Sequence, residues 1–166
     1  MRIRHQSAHP SPVPVVSTPE EEFALERYKY ILKQIHTSNE NVYRFLALYQ
    51  TLAVAIVGGG VALFVGYRNW NIAVSVAQTG IIGLMWLLTF VGAFAVLLIF
   101  MCIFNWWHYR KEECELTDAV VRPGFRKPPQ MGNLFRWYET YIVLFIAGSI
   151  GFLWAYTLTF ILPAVK

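Results

Sequence analysis

A chain of 166 residues in which 56% are hydrophobic, 16% aromatic and only 14% charged departs from an ordinary soluble domain, where about a quarter are charged. Its net charge of +4 is modest and its basic residues fall into clusters flanking apolar runs, which suits anionic headgroups and excludes a nucleic-acid-binding stripe. Two cysteines, Cys102 and Cys114, without a spaced set of Cys and His ligands, support neither a disulfide framework nor a zinc site, and no metal or cofactor is expected.

Residues 1–18 carry Arg2, Arg4, His5 and His9, then Pro10, Pro12 and Pro14. The segment lacks the apolar core of a signal peptide and reads as a retained, disordered cytoplasmic tail. Two histidines in such a tail fall short of a metal-ligand set.

Thr18-Pro19-Glu20-Glu21 is a helix start. Thr18 caps, Pro19 suits the first helical position, Glu21 completes a capping box, and Glu20 to Glu22 complement the helix dipole. Over residues 19–44 apolar positions recur every seven residues. Tyr28, Ile35, Val42 and Tyr49 form one row; Ala24, Ile31, Ser38, Phe45 and Leu52 form the other. This is the seam of an amphipathic or coiled-coil helix, with Tyr28, Ile31, Ile35 and Val42 its cytoplasmic part. Both rows run past Phe45 without a phase break, so the helix either continues into the first span as one rod or, breaking at Asn39-Glu40-Asn41, lies flat on the membrane.

Residues 45–166 form a membrane domain. Between Arg44 and Arg110 the only charged residue is Arg68, in the polar turn Arg68-Asn69-Trp70-Asn71. The apolar runs on either side, about 45–67 and 80–107, are each long enough to cross a hydrocarbon core of about 30 Å. In the first span Ala55, Gly59, Ala62 and Gly66 share one face, smooth enough for close helix packing within the protomer or between copies. Gln50 and Thr51 are its polar side chains. The second run is too long for a simple crossing, so its first turns protrude or Gly80 and Gly83 bend it. Trp106, Trp107 and Tyr109 supply an aromatic belt at its exit. A helical pattern then continues to Val121, where Arg122-Pro123-Gly124 ends it. In the connector, 108–137, Arg122, Phe125, Arg126 and Lys127 read either as a docking or headgroup-binding loop or as a rigid joint.

A third span covers about 138–162, with Ala147, Gly151 and Ala155 as a second small row and Pro163 at its end. Glu139, at the entrance, is within reach of Arg136 for an interfacial ion pair. Six basic residues precede the first span and six lie between the second and third, against Arg68 and Lys166 at the other ends. The positive-inside rule thus puts the N-terminus and connector in the cytoplasm and the C-terminus outside, across the cell (inner) membrane.

The expected fold is an all-α integral membrane protein, three transmembrane helices preceded by a cytoplasmic helix. No P-loop, GxSxG or HExxH occurs and no acids pair inside a span. His108, near Glu112 and Glu113, reads as an interfacial anchor, so an enzyme is not expected. Two functions stay open. Copies assemble through their small faces into a gated, weakly selective pore, for which Gln50, Thr51, Ser149, Thr157 and Thr159 are the pore-lining or interhelical polar candidates. Alternatively the spans anchor the cytoplasmic segments as a docking platform for a partner protein.

The order of elements from Glu20 to Val121, a Glu- and Lys-rich helix entering a glycine-bearing span, a short outer turn and a long second helix extending into the cytoplasm, resembles the SLATT class of small bacterial membrane effectors. The resemblance implies association with antiviral defence and membrane disruption through a pore. The third span is additional to that two-span plan.

Overall fold

The computed structural model describes residues 18–129 and 137–165. The N-terminal tail, residues 130–136 with Arg136 of the expected Arg136–Glu139 pair, and Lys166 lie outside the described residues. Among those described, the fold is all-helical: α1 Pro19–Gly66, α2 Val74–Val120 and α3 Tyr138–Tyr156, the last continued by a π-helical turn Thr157–Ile161 and a short turn Leu162–Ala164. Three helices are long and apolar enough to cross a membrane.

The start of α1 follows from its capping box. The Thr18 amide donates to Glu21 Oε2 at 3.0 Å and the Glu21 amide donates to Thr18 Oγ1 at 3.3 Å, so two otherwise orphaned donors are satisfied. From there α1 runs 48 residues, about 72 Å, through Asn39-Glu40-Asn41 without a break. The Glu40 carboxylate pairs with Arg44 at 3.6 Å along the helix, with His36 Nε2 3.2 Å away on its other side, which supports these turns. The chain reverses at Tyr67 to Ala73. There Trp70 donates back to Gly66 and Ile72 to Tyr67, and Asn71 takes the left-handed conformation (φ 53°) that an Asn side chain tolerates.

The returning helix α2 is equally long and shows no interruption at Gly80 or Gly83. Its buried positions Ile81, Leu88, Ala95 and Cys102 recur every seven residues, as do Met85, Gly92 and Ile99. That spacing keeps one face turned toward α1 along the whole hairpin. Leu63 faces Gly80 near the turn, and Arg27 faces Glu112 at the far end. Phe45, where the apolar run of α1 begins, therefore lies beside Ala95 and Leu98. The excess length of the second apolar run is explained by this register: its last turns pack beyond that level, against the Val42 and Asn39 region of α1 and the start of α3.

Helix α3 closes the bundle over α1 and α2. Ile146 is fully buried in a core with Val42, Tyr49, Met85, Leu88, Ala95, Ile99 and Cys102. Two interhelical hydrogen bonds hold it: Tyr49 and Ser149 hydroxyls at 2.9 Å, and the Trp154 indole N–H donating to Thr89 Oγ1 at 2.9 Å. Its widened turn at 157–161 precedes Pro163, whose missing amide and bulky ring disturb the ordinary ladder four residues back. Val165 then tucks under Tyr67, Ala77 and Ile81, and the Gln78 amide donates to its carbonyl at 3.1 Å. The outward faces carry Phe90, Phe94, Phe104, Phe145, Phe152 and Phe160, all more than half exposed, a surface suited to hydrocarbon and costly in water.

The small-residue row of α1 divides. Ala55, Gly59 and Ala62 are exposed on the outside of the protomer and only Gly66 is buried; Ala147, Gly151 and Ala155 of α3 are exposed as well. Among the described glycines the tightest surroundings are at Gly92 of α2. A Cβ there would lie 2.3 Å from Ile150 Cδ1, 3.4 Å from Tyr49 Cε2 and 3.5 Å from Ile146 Cγ2, whereas at Gly59 the nearest atom is 4.0 Å away. Gly92→Leu should therefore lower stability in detergent by about 1–3 kcal/mol through overpacking. Gly59→Leu should leave the protomer intact and alter only contacts between copies. Thermal unfolding of the two variants, with size determination, checks this, and equal destabilisation would contradict the assignment of the packing face.

Candidate functional site

The end of the hairpin remote from the turn holds the chain's densest set of charged interactions among the described residues. Here α2 is amphipathic, and Glu113 falls fourteen residues after Ile99 on the same buried row, so its carboxylate points inward and is fully buried. A buried carboxylate needs counter-charges and hydrogen bonds. Arg110, one turn back, pairs with Glu113 Oε2. Arg126, from the connector, places Nε 3.3 Å from Oε1, and the Tyr28 hydroxyl donates to the same oxygen at 3.5 Å. Arg126 also donates to the Tyr28 hydroxyl at 3.4 Å. Beside this cluster Arg27 bridges to Glu112 at 2.5 Å, tying α1 to α2 a second time.

Residues 122–127 of the connector are thereby folded back on the hairpin. Gly124, at φ 75°, donates its amide to Asp118 Oδ1 at 2.9 Å, and Cys114 Sγ lies 3.7 Å from the Lys127 carbonyl oxygen. Burial pushes the Cys114 thiol up from its ordinary value, the strongest influence among several neighbouring charges. Phe125 lies across the opening between the first turns of α1 and the last of α2, with the Arg122 guanidinium 6.0 Å from its ring centre. A groove of about 630 Å³ results. Its walls are Ala24, Leu25, Tyr28, Leu116, Val120 and Phe125, and Glu21 and Glu22 stand at the rim.

The residues singled out from sequence are distributed as follows. Of the seam, Ile31 and Val42 are buried and Tyr28 and Ile35 half-buried on the side of α1 that meets α2. Of the connector set, Arg126 is committed to Glu113, while Arg122, Phe125 and Lys127 are exposed. The polar candidates of the spans do not share one path. Ser149 is bonded to Tyr49 inside the bundle and Thr157 is buried, whereas Gln50, Thr51 and Thr159 face outward, with the Thr51 hydroxyl donating to the Ala47 carbonyl of its own helix. His108 is exposed, and no group of three or more His, Cys, Asp or Glu suited to a metal occurs among the described residues.

Glu113 was not singled out by the sequence pattern. Its signal was its phase, an acid on the row of Met85, Gly92 and Ile99, which marks a buried charge once the seam is extended past Trp107. The indole N–H of Trp107 is buried without a hydrogen-bond partner among the described residues.

Comparison with protein-family models, curated proteins and solved structures finds no match. The functional reading therefore rests on the geometry of the chain itself.

Proposed function

We propose that the protein is a membrane anchor whose α1/α2 hairpin projects from the cytoplasmic face of the cell (inner) membrane as a docking platform for a partner protein. The observation that carries this reading is the groove at the tip of the hairpin. It is open and apolar, and is held in shape by a buried ionic cluster. Leu25 and Val121, 52% and 59% exposed at its edge, would be poor choices for a surface that stays in water. The acidic rim favours an apolar partner segment with basic flanks.

A photo-crosslinking residue at Val121 should give one discrete adduct in native membranes, and Leu25→Asp should abolish it while leaving the helical content unchanged. Purified protein in liposomes should pass no ions. Robust flux from a defined oligomer, with no adduct at Val121, would overturn the platform in favour of a pore.

The pore reading keeps one supporting observation, the exposed small rows Ala55, Gly59 and Ala62 on α1 and Ala147, Gly151 and Ala155 on α3, which are available for contact between copies. It is the reading that a SLATT-like effector of antiviral defence would require.

Orientation has its own test. Cys114 is a poor reporter, since it is only 6% exposed and burial raises the pKa of its thiol. Glu115, with a side chain 68% exposed, is the better position. Glu115→Cys should react with a membrane-impermeant thiol reagent in inverted vesicles. Reaction from outside intact cells would reverse the topology.

A further inference from the structure

Where α1, α2 and α3 meet at the end of the apolar stretch, a second and chemically different pocket opens. It has a volume of about 290 Å³ and, among the described residues, is lined by Asn39, Ile103, Trp106, Trp137, Tyr138 and Glu139. Trp106 and Trp137 stand edge to face, ring centres 5.2 Å apart and planes at 70°, so they form two walls of a corner. Tyr138 is held in place from behind by stacking on Tyr43, centres 5.6 Å apart and planes within 6°. Glu139 brings a carboxylate to this aromatic corner, and Asn39 a carboxamide. Aromatic faces attract a cation through their quadrupoles, most strongly for Trp, and the attraction grows as water is excluded. A carboxylate at the same place adds a charge-assisted hydrogen bond for any cation that has an N–H to donate.

We infer that this pocket binds the ammonium group of a phospholipid headgroup, specifically the primary ammonium of an ethanolamine phospholipid. The position accounts for the lipid, because the pocket opens where three apolar helices give way to polar sequence, at headgroup level for a chain crossing the bilayer. The acceptors account for the primary amine. A quaternary ammonium has no N–H to donate, so Glu139, which the adjacent Tyr138 hydroxyl already approaches, and the Asn39 carbonyl would gain no hydrogen bond from it, whereas a primary ammonium has three N–H groups to offer. An anionic headgroup without an amine would bring no cation to the Trp faces or to Glu139. The inference stands independently of what docks at the hairpin tip.

The test uses the full chain, delipidated in mild detergent and titrated with short-chain ethanolamine, choline and glycerol phospholipids. Lipid adducts are followed by native mass spectrometry and protection against heat by unfolding curves. The ethanolamine lipid should bind saturably and at least about tenfold more tightly than the choline lipid, a margin of one good polar contact. The glycerol lipid should give no adduct above background. Glu139→Gln, which keeps the side chain's shape, should reduce the preference for ethanolamine over choline to near unity. Trp106→Leu should weaken both amine lipids, and Phe104→Leu, on an exposed face of α2, should change neither. Free phosphoethanolamine competing as well as the lipid would show that a soluble amine is the ligand and overturn the lipid assignment. Equal binding of all three lipids, or an ethanolamine preference unchanged in Glu139→Gln, would overturn the pocket itself. Should Trp106→Leu fail to fold, the Glu139→Gln arm decides alone.

Discussion

One alanine inserted after Asn39 should release the outer half of α1 from α2 while leaving the three-helix bundle assembled. A single added residue turns everything upstream by about 100°. Ile31, now fully buried, would swing off the face that meets α2, together with the half-buried Tyr28 and Ile35. Burying one such aliphatic side chain stabilises by about 1.5–3 kcal/mol, so losing the row exceeds what the local helix can offset. Arg27 would lose Glu112, and Tyr28 would leave the Glu113 cluster. The core around Tyr49, Leu88 and Ile146 lies on the other side of the insertion and keeps its register. Limited proteolysis should then cut at the exposed Arg27 and Lys29 of the variant under conditions that spare the parent. A seven-residue insertion makes an informative control. It restores the face to within about 20° but slides the helix by about 10 Å, so it should recover apolar burial without the Arg27–Glu112 pair. Parent-like proteolysis of the single insertion would show that the seam does not hold the two helices together.

Much of this architecture was legible because it rests on local chemistry. The capping box at Thr18, the turn around Asn71 and the stop at Arg122-Pro123-Gly124 each depend on residues within a few positions of one another, and each is found where the residue types place it. The seven-residue rows of α1 were equally visible, but they could not reveal their partner. A seam presents the same periodicity to a lipid surface, a second copy or a returning helix, and only the register of α2 against α1 decides. The same gap affected the small residues. A smooth face at Ala55, Gly59 and Ala62 is a local property, whereas the tight contact at Gly92 arises from Ile146, Ile150 and Tyr49 on two other helices. Both pockets share this character. Each draws its walls from three separate parts of the chain, so no window of sequence contains either.

Glu113→Ala should produce the largest loss from a point change, since it removes the acid on which two arginines converge. In the parent, Arg110 and Arg126 are 27% and 35% exposed and share a carboxylate with no exposure at all. Breaking a buried pair by deleting one partner typically costs about 3–5 kcal/mol, because the remaining charge is left desolvated. Here water reaches both guanidinium groups and repays part of that, so a loss of about 2–4 kcal/mol in the unfolding of the hairpin tip is expected. The connector should come away with it, for Arg126 is its ionic tie to α2 and the Lys127 carbonyl beside Cys114 depends on the same fold-back. Cys114 then gains solvent, its thiol pKa falls toward the ordinary value as the burial that raised it disappears, and labelling at neutral pH should accelerate. Two companion variants separate charge from packing. Glu113→Gln keeps the side chain's volume and a partner for the Tyr28 hydroxyl, so it should fall between parent and Glu113→Ala. Adding Arg126→Ala to Glu113→Ala removes one of the stranded cations and should recover stability without restoring protection of Cys114, since the connector still lacks its tie. Cys114 labelling that stays at the parent rate in Glu113→Ala would mean that the connector is held by something other than this ionic cluster.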